Sequence, residues 1–234
     1  ARFPLHGLPA RAGDEVVVHP GLSCGHCAAC LGSRDNECNE FSVLGVVTPG
    51  VSAEYVKVPA GNLFPKPAGL SFEEAAGIGV TYTTAWNSLV LRAGIRQGET
   101  VLVQAAGSGA GTAVIQVAKL FNAVVITTVG DDWKAAKAKE LGADLVINHR
   151  SEDFLEAVKR FTRGRLVDIA VDHVGADTFT RSIAAVRRGG RIVTFGATSG
   201  DETKLSLRQV FGKNLTIHGV YVGPRVAVPQ YLPL

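Results

Sequence analysis

Along the second half of the chain, short apolar runs alternate with segments of helical spacing. "TVLVQAA", "AVVITTV", "DLVIN", "VDIAVD", "GRIVTFG" and "LTIHGVYV" read as six strands between residues 99 and 222. The first is continuously apolar, as expected of a strand covered on both faces. Between the first two lies "AGTAVIQVAKLF", which places Val114, Val117, Ala118 and Phe121 on one helical face. Asn122 is suited to close that helix in the left-handed conformation. "DDWKAAKAKELG" predicts a second helix ending at Gly142. "SEDFLEAVKRFT" predicts a third, capped by Ser151 with acids in its first turn, and residues 176–187 a fourth. Six strands alternating with helices specify an α/β fold with a doubly wound parallel sheet. The right-handed rule for crossovers leaves little other topology open.

The first third is patterned differently. "DEVVVH" (14–19) reads as a strand, and "SAEYVKVP" (52–59) alternates well enough for another. Pro59, Pro65 and Pro67 mark an irregular stretch. In "SFEEAAGIGVTYTTAWNSLVLRAG", Ser71 is placed to cap a helix, and Glu73 and Glu74 in its first turn favour the helix dipole. Gly77 and Gly79 are expected to break this stretch into two helices.

A hydrophobic fraction of 46% is enough for a sizeable core. The net charge of +3 is too mild and too evenly spread for a nucleic-acid footprint, so no nucleic-acid partner is expected. No apolar run reaches the length of a membrane span. The start, "ARFPLHGLPARAG", lacks the charged and apolar regions of a signal peptide, so a cytoplasmic location is expected. The chain contains no methionine and ends in "PQYLPL" without a polar tail, which suggests an internal piece of a longer polypeptide.

All four cysteines fall between residues 24 and 38: Cys24, Cys27 and Cys30 at C-x2-C-x2-C spacing, then Cys38. Two disulfides are one reading, opposed by a reducing compartment. Short gaps suit metal ligation better, and tetrahedral zinc takes four thiolates at about 2.3 Å. Four protein ligands leave no place for water or substrate, so such a site is closed and structural. His26 is surplus to that set.

The turn "AAGSGAG" stands between a strand and a helix, the context a phosphate-binding turn requires. Gly107, Gly109 and Gly111 read G-x-G-x-G rather than G-x-G-x-x-G. With Gly111 as the third motif glycine, Ser108 takes the middle place and Ala106 the first. A tight turn without a ligand is the alternative. Asp131 follows the second strand, twenty residues after Gly111, where an acid binds a ribose. A carboxylate there repels a 2′-phosphate, which leans the cofactor to NAD. Lys134 leaves NADP open. Asp131 and Asp132 could also be simple helix-cap residues.

These residues carry a family resemblance. "GDEVVVHPGLSCGHCAAC", "AEYVKVPAGNLFPKP", "TYTTAW", "GETVLVQAAGSGAGTAVIQVAK", "KELGADLVIN", "DHVG" and "GGRIVTFGATSG" resemble the medium-chain dehydrogenase/reductase superfamily, on its zinc alcohol dehydrogenase and quinone oxidoreductase-like side. The resemblance implies a six-stranded Rossmann domain over 80–222 and part of a GroES-like β-barrel catalytic domain over 1–79, with the zinc lobe at 24–38. Residues 223–234 would begin the return to the catalytic domain. The family's opening strands and most of its closing segment have no counterpart here. Where zinc alcohol dehydrogenases commonly show a ligating cysteine before Thr-Ala-Trp, this chain has Val80 before Thr84-Ala85-Trp86. One structural zinc is therefore implied and a catalytic zinc is not.

By the same resemblance, Thr84 would contact the nicotinamide end. Gly107, Ser108, Gly109, Ala110 and Gly111 would line the pyrophosphate. Gly130, Asp131 and Lys134 would surround the adenosine ribose, with Asn148 near the adenine. His173, Val174 and Gly175 would reach ribose and nicotinamide, and Gly196, Ala197 and Thr198 the carboxamide. The implied function is an NAD(P)-dependent oxidoreductase moving hydride between nicotinamide and a small-molecule alcohol, carbonyl, enone or quinone. The alternative is a truncated, catalytically inactive nucleotide-binding fragment of such an enzyme. No catalytic residue is assigned: helix packing accounts for Tyr82 and Thr83 as well as a donor role does. Trp133 is expected to pack, and His149 and His218 to lie at the surface or in packing. A homodimer or homotetramer through the last Rossmann strand is expected, because an unpaired edge is a liability. Tyr55, Tyr82 and Tyr221 all lack the Y-x3-K of a short-chain dehydrogenase. The cysteine lobe lacks the long loop and basic-aromatic face of a nucleic-acid zinc ribbon.

Overall fold

A computed structural model of the chain describes residues 10–233. Residues 1–9 and Leu234, which the readings above place at the ends of the partial barrel and the return segment, lie outside the described residues. The chain forms two compact units: residues up to 87 together with 221 onward, and residues 88–220.

The first unit begins with β1 (Val16–Val18), β2 (Gly21–Leu22), the short helix α1 (Ala28–Leu31), β3 (Ser42–Val43) and β4 (Leu63–Pro65). β1 pairs antiparallel with β4, and β2 antiparallel with β3. The strand expected over 52–59 is not formed. Tyr55 is 90% exposed, and the strand partner of β1 is instead Leu63–Pro65, inside the stretch read as irregular. Alternation supplies a face but no ladder, and the ladder decides which segment is a strand. Asn62 fixes this choice. Its buried amide donates to the carbonyls of His19 at 2.7 Å and Gly21 at 2.6 Å, on either side of the turn between β1 and β2.

α2 (Phe72–Ala76) starts as the sequence dictates. The Ser71 hydroxyl accepts from Glu74 N–H, and the Glu74 carboxylate accepts from Ser71 N–H, a reciprocal capping box. α3 (Ile78–Trp86) follows after a break at Gly77 alone. Gly79 lies within α3, where a Cβ would stand 2.8 Å from the Val18 carbonyl, so glycine is what lets this helix lie against β1. α3 runs on into a π-helical turn, Asn87–Arg92. An ion pair between Asp35 and Arg225, 3.1 Å and mostly buried, ties the cysteine lobe to the closing segment of the same unit.

The second unit is the alternating part. It comprises β5 (Thr100–Val103), α4 (Gly109–Leu120), β6 (Val124–Val129), α5 (Asp132–Glu140), β7 (Leu145–Asn148), α6 (Phe154–Phe161), β8 (Val167–Val171), α7 (Phe179–Ala185), β9 (Val186–Thr194), α8 (Leu207–Lys213) and β10 (Thr216–Gly219). The six strands form one parallel sheet in the order β10-β9-β8-β5-β6-β7. That is the doubly wound order with its switch point between β5 and β8. A last short helix, α9 (Val228–Tyr231), belongs to the first unit.

The central strands are buried on both faces, with every residue of β5 and β8 buried. Leu102, Ile126, Ile147, Ala170 and Ile192 form the core with Phe154, Val158 and Ile183. Each Leu, Ile, Val or Phe among these contributes about 1.5–3 kcal/mol on full burial. Asn122 closes α4 at φ 50°, as its sequence position predicts. Two helix starts differ from expectation. α6 is capped by Asp153, whose carboxylate accepts from Leu155 and Glu156 N–H, while the Ser151 hydroxyl donates to Asn148 O. α7 begins at Phe179 rather than 176, because the fully buried Asp172 carboxylate holds residues 174 and 175 in a turn through their N–H groups.

Candidate functional site

At the carboxyl end of β5 the chain passes through Ala105, held at φ 56°, and turns into α4. Ser108 is the N-cap. Its hydroxyl accepts from Gly111 N–H at 2.8 Å and donates to the Ala105 carbonyl at 3.0 Å. A Cβ at Gly111 would lie 2.4 Å from that same carbonyl, so only glycine allows the helix to start this close to the strand. Gly107 and Gly109 remain open to solvent beside the helix N-terminus, where backbone N–H groups attract an anion.

Two other loops gather beside this turn. His173, after β8, places Nε2 2.9 Å from the Ser108 hydroxyl and stacks on Phe195 with ring centroids 5.0 Å apart. Burial lowers its pKa, and Asp172 offsets part of that shift. Its Nδ1 is buried without a hydrogen-bond partner among the described residues. Gly175 holds φ 97°, with a would-be Cβ 2.5 Å from Gly200 O. The Thr198 hydroxyl donates to His173 O at 3.4 Å, and Gly196 packs over the same carbonyl. Residues 107–111, 173–175 and 196–198 are thus gathered along the ends of β5, β8 and β9.

The remaining predicted ribose residues lie at the ends of β6 and β7. The Lys134 stem lies against Gly107, where a Cβ would come within 2.8 Å of Lys134 Cδ. Its ammonium pairs with Asp131 at 2.9 Å, and Arg150 pairs with the other Asp131 oxygen at 3.1 Å. The Lys134 bond holds the Asp131 carboxyl below its usual pKa. Asn148 donates to Asp132, not to Asp131. A cleft of about 510 Å³ opens alongside, lined among others by Gln104, Thr128, His149, Arg150, Val174 and Thr178. Trp133 is not packed in the core: it is 68% exposed, and its ring lies 5.3 Å from the Lys134 ammonium.

Sequence reasoning passed over Arg150 and set His149 aside. The available signal was their position, directly after the third strand at the carboxyl edge of the sheet. Thr84 belongs to the first unit. It is buried in α3, and its hydroxyl donates to Val80 O at 2.7 Å.

The four cysteines of the first unit are free thiols drawn together around α1. Sγ separations are 3.8 Å for Cys24–Cys30, 3.5 Å for Cys27–Cys30 and 3.6 Å for Cys38–Cys24. Thiolates at about 2.3 Å from a tetrahedral ion lie about 3.8 Å from one another, so the donor set fits zinc. The His26 and Cys27 N–H groups pull the Cys24 thiol down to about 6. At Cys27 the Cys30 N–H acts to lower the value, but bonding to the neighbouring sulfurs raises it to about 11.

The strand order and the turn between β5 and α4 define the doubly wound, dinucleotide-binding class of α/β fold. Residues 109–234 match the family of zinc-binding dehydrogenases, and residues 8–68 match the alcohol dehydrogenase GroES-like domain. The chain belongs to the zinc-binding dehydrogenase family, within the medium-chain dehydrogenase/reductase superfamily. Sorbitol dehydrogenase of Bacillus subtilis is 32% identical over 216 residues, covering 90% of this chain and 60% of that protein. Quinone oxidoreductase-like protein 2 of Mus musculus is 35% identical over 182 residues, covering 77% of this chain and 52% of its own. The chain therefore spans about half to three fifths of the length of these curated relatives. A crystal structure of an NAD-dependent alcohol dehydrogenase superposes with a TM-score of 0.90 at 47% identity, over 94% of this chain and 64% of the other.

Proposed function

We propose that the chain is the cofactor-binding part of an NAD(P)-dependent oxidoreductase. Its substrate would be an alcohol or carbonyl, enone or quinone. The observation that carries the reading is the meeting of Ser108, Gly111 and His173 at the switch point between β5 and β8. When bound, the nicotinamide supplies the hydride donor or acceptor. The chain's own residues hold and orient it. Gly107, Gly109 and Ala110 would present backbone N–H groups to the pyrophosphate, while the Ser108 and Gly111 N–H groups are spent within the turn. His173–Gly175 and Gly196–Thr198 would flank the nicotinamide half. Gly130, Asp131, Lys134 and Asn148 serve the adenosine half.

Cys24, Cys27, Cys30 and Cys38 would hold one structural zinc. Their four thiolates complete the coordination, so the ion braces the lobe and leaves no position for substrate. Val80 has no donor atom, which argues against a catalytic zinc at that position. Free thiols suit a reducing compartment such as the cytoplasm. Among the described residues, no helix is long and apolar enough to cross a membrane. Among the described residues, the outer edge of β10 has no strand partner in the sheet, which supports assembly of two copies through that edge.

Equilibrium titration with NADH, followed by energy transfer from the two tryptophans, tests the cofactor site. Turnover with NADH or NADPH against a panel of aldehydes, enones and quinones tests the chemistry. Saturable binding with turnover supports the oxidoreductase. Binding without turnover leaves a nucleotide-binding piece, and absence of binding sinks both readings.

A further inference from the structure

Two polar side chains stand beside the four cysteines without belonging to their set. His26 and Glu40 are both exposed, and each follows a cysteine by two residues, Cys24 and Cys38. A ring nitrogen of His26, a carboxylate oxygen of Glu40 and Cys24 Sγ all lie within 4.8 Å of one another. The backbone of the lobe orients both side chains. His26 Nδ1 lies 2.9 Å from the Cys24 carbonyl. A carbonyl only accepts, so Nδ1 carries the ring proton and Nε2 keeps a bare lone pair. A histidine that binds a metal through one nitrogen commonly spends the other N–H on such a carbonyl. The Glu40 N–H donates to Cys38 Sγ at 3.4 Å, which holds that residue at the rim of the thiol cluster. Among the described residues, no hydrogen bond or ion pair engages the Glu40 carboxylate.

A four-thiolate pocket poses a problem of access. Cys38 is buried, and four protein ligands close the coordination sphere. An arriving ion must shed its water before it has gained four sulfurs, so a metal site of this kind requires an entry path. Resting on the structural-zinc reading of the cysteines, we propose that Cys24, His26 and Glu40 form a second, exposed metal site through which zinc enters and leaves the lobe. Zinc takes sulfur, imidazole and carboxylate ligands at about 2.0–2.3 Å, which sets tetrahedral ligand atoms about 3.3–3.8 Å apart. Rotation of the two exposed side chains closes the remaining gap. Three protein ligands leave the fourth position open to water, or to a donor atom of a chelator or carrier. Cys24 belongs to both sites, so the ion stays on the protein while it passes between them. On entry, Cys27, Cys30 and Cys38 each lose a thiol proton to solvent and bind, as His26, Glu40 and the water are released. Four soft thiolates suit zinc better than one thiolate with nitrogen and oxygen, so loading runs inward.

The test is the rate at which the zinc-loaded full chain yields its metal to excess pyridylazoresorcinol, a chromophoric chelator, with total zinc taken from elemental analysis. Entry and exit share one path by microscopic reversibility, so release reports on both. His26→Ala and Glu40→Gln should each still hold one zinc per chain. Each should release it roughly tenfold more slowly than wild type, the low end of the scale for residues that serve a metal from outside its final ligand set. Glu37→Gln is the control. Glu37 is an acid of the same lobe, paired with Arg34 and outside the triad, and its variant should stay within about twofold of wild type. A substitution that merely loosened the lobe would speed release, the opposite sign. Wild-type or faster release from both triad variants would overturn the entry site while leaving the structural zinc in place. Equal slowing by Glu37→Gln and Glu40→Gln would reduce the effect to the charge of the lobe and overturn it as well. Reduced wild-type protein that neither contains zinc nor takes it up would overturn the structural-zinc reading itself.

Discussion

The Ser108 hydroxyl lies 2.9 Å from His173 Nε2, joining the N-terminus of α4 to the end of β8 across the switch point of the sheet. The hydroxyl has one proton, which it donates to the Ala105 carbonyl, and it also accepts from Gly111 N–H. The histidine must therefore supply the proton of the third bond from Nε2. That leaves buried Nδ1 as a bare acceptor. Burial, which lowers the His173 pKa, keeps the ring neutral in this tautomer.

Ser108→Ala removes both the cap of α4 and the partner of His173. The expected loss is about 0.5–2 kcal/mol of stability, the range for an N-cap deletion, read as a lower denaturant midpoint with an unchanged slope. In the 15N spectrum the His173 ring should also lose its single-tautomer signature. A variant with the wild-type tautomer would refute the bond.

Gly111→Ala puts a methyl group 2.4 Å from the Ala105 carbonyl, a backbone atom that cannot swing aside. The start of α4 must move outward, at about 1–3 kcal/mol for an overpacked site. Gly107→Ala meets only the flexible Lys134 stem and should cost less. Chemical denaturation of both variants gives the comparison, and equal losses would show that the turn is looser than described.

The alternating half of the fold was legible because its signals are local. The apolar run of β5, the Ser108 cap and the left-handed Asn122 each depend on a few adjacent residues. The Ser71–Glu74 box is local in the same way. What could not be read depended on distant partners. The 52–59 segment alternates but finds no ladder, whereas Leu63–Pro65 finds β1 despite its flanking prolines. Ser151 stands two residues before the residue that caps α6. The site shows the same division. The glycine turn was visible in the sequence, but the pairing of Ser108 with His173 spans 65 residues. Arg150 gains meaning only because β6 and β7 are neighbours, which brings it to Asp131.

Cys38 is the buried member of the thiol cluster and the one farthest from the others in sequence. Cys38→Ser should reduce bound zinc from one ion per chain to substoichiometric levels by elemental analysis, because zinc favours four strong thiolate donors. Metal binding by such a lobe is also folding free energy. Chelation of the wild-type protein should therefore lower the unfolding midpoint reported by Trp86, which lies in the first unit. Unchanged zinc content in the variant would break the four-thiolate assignment. Fewer than four reactive thiols in the unfolded, metal-free protein would favour disulfides instead.

Acid should weaken the first unit before it titrates most carboxylates. His19 is buried with both ring nitrogens bonded: Nδ1 accepts from Gly21 N–H at 3.2 Å, and Nε2 donates to Gly223 O at 3.1 Å. Burial lowers its pKa from 6.5, an effect that Asp35 and the Gly223 bond partly oppose and Arg225 reinforces. A histidine with a lowered folded value takes up its proton in the unfolded chain first. Between that value and 6.5 the unfolded state binds more protons, so stability falls as pH falls, by at most about 1.4 kcal/mol per pH unit for one such group. His173 and His218 are shifted in the same direction, each by burial first, and add to the slope in the second unit. His19→Gln keeps an amide donor for Gly223 O and removes the titration. Followed through Trp86 in a Trp133→Phe background, unfolding of the wild-type first unit should weaken from pH 7.5 to 5.5. The His19→Gln slope should be flatter. Parallel slopes would mean that His19 takes its proton without opening the turn between β1 and β2.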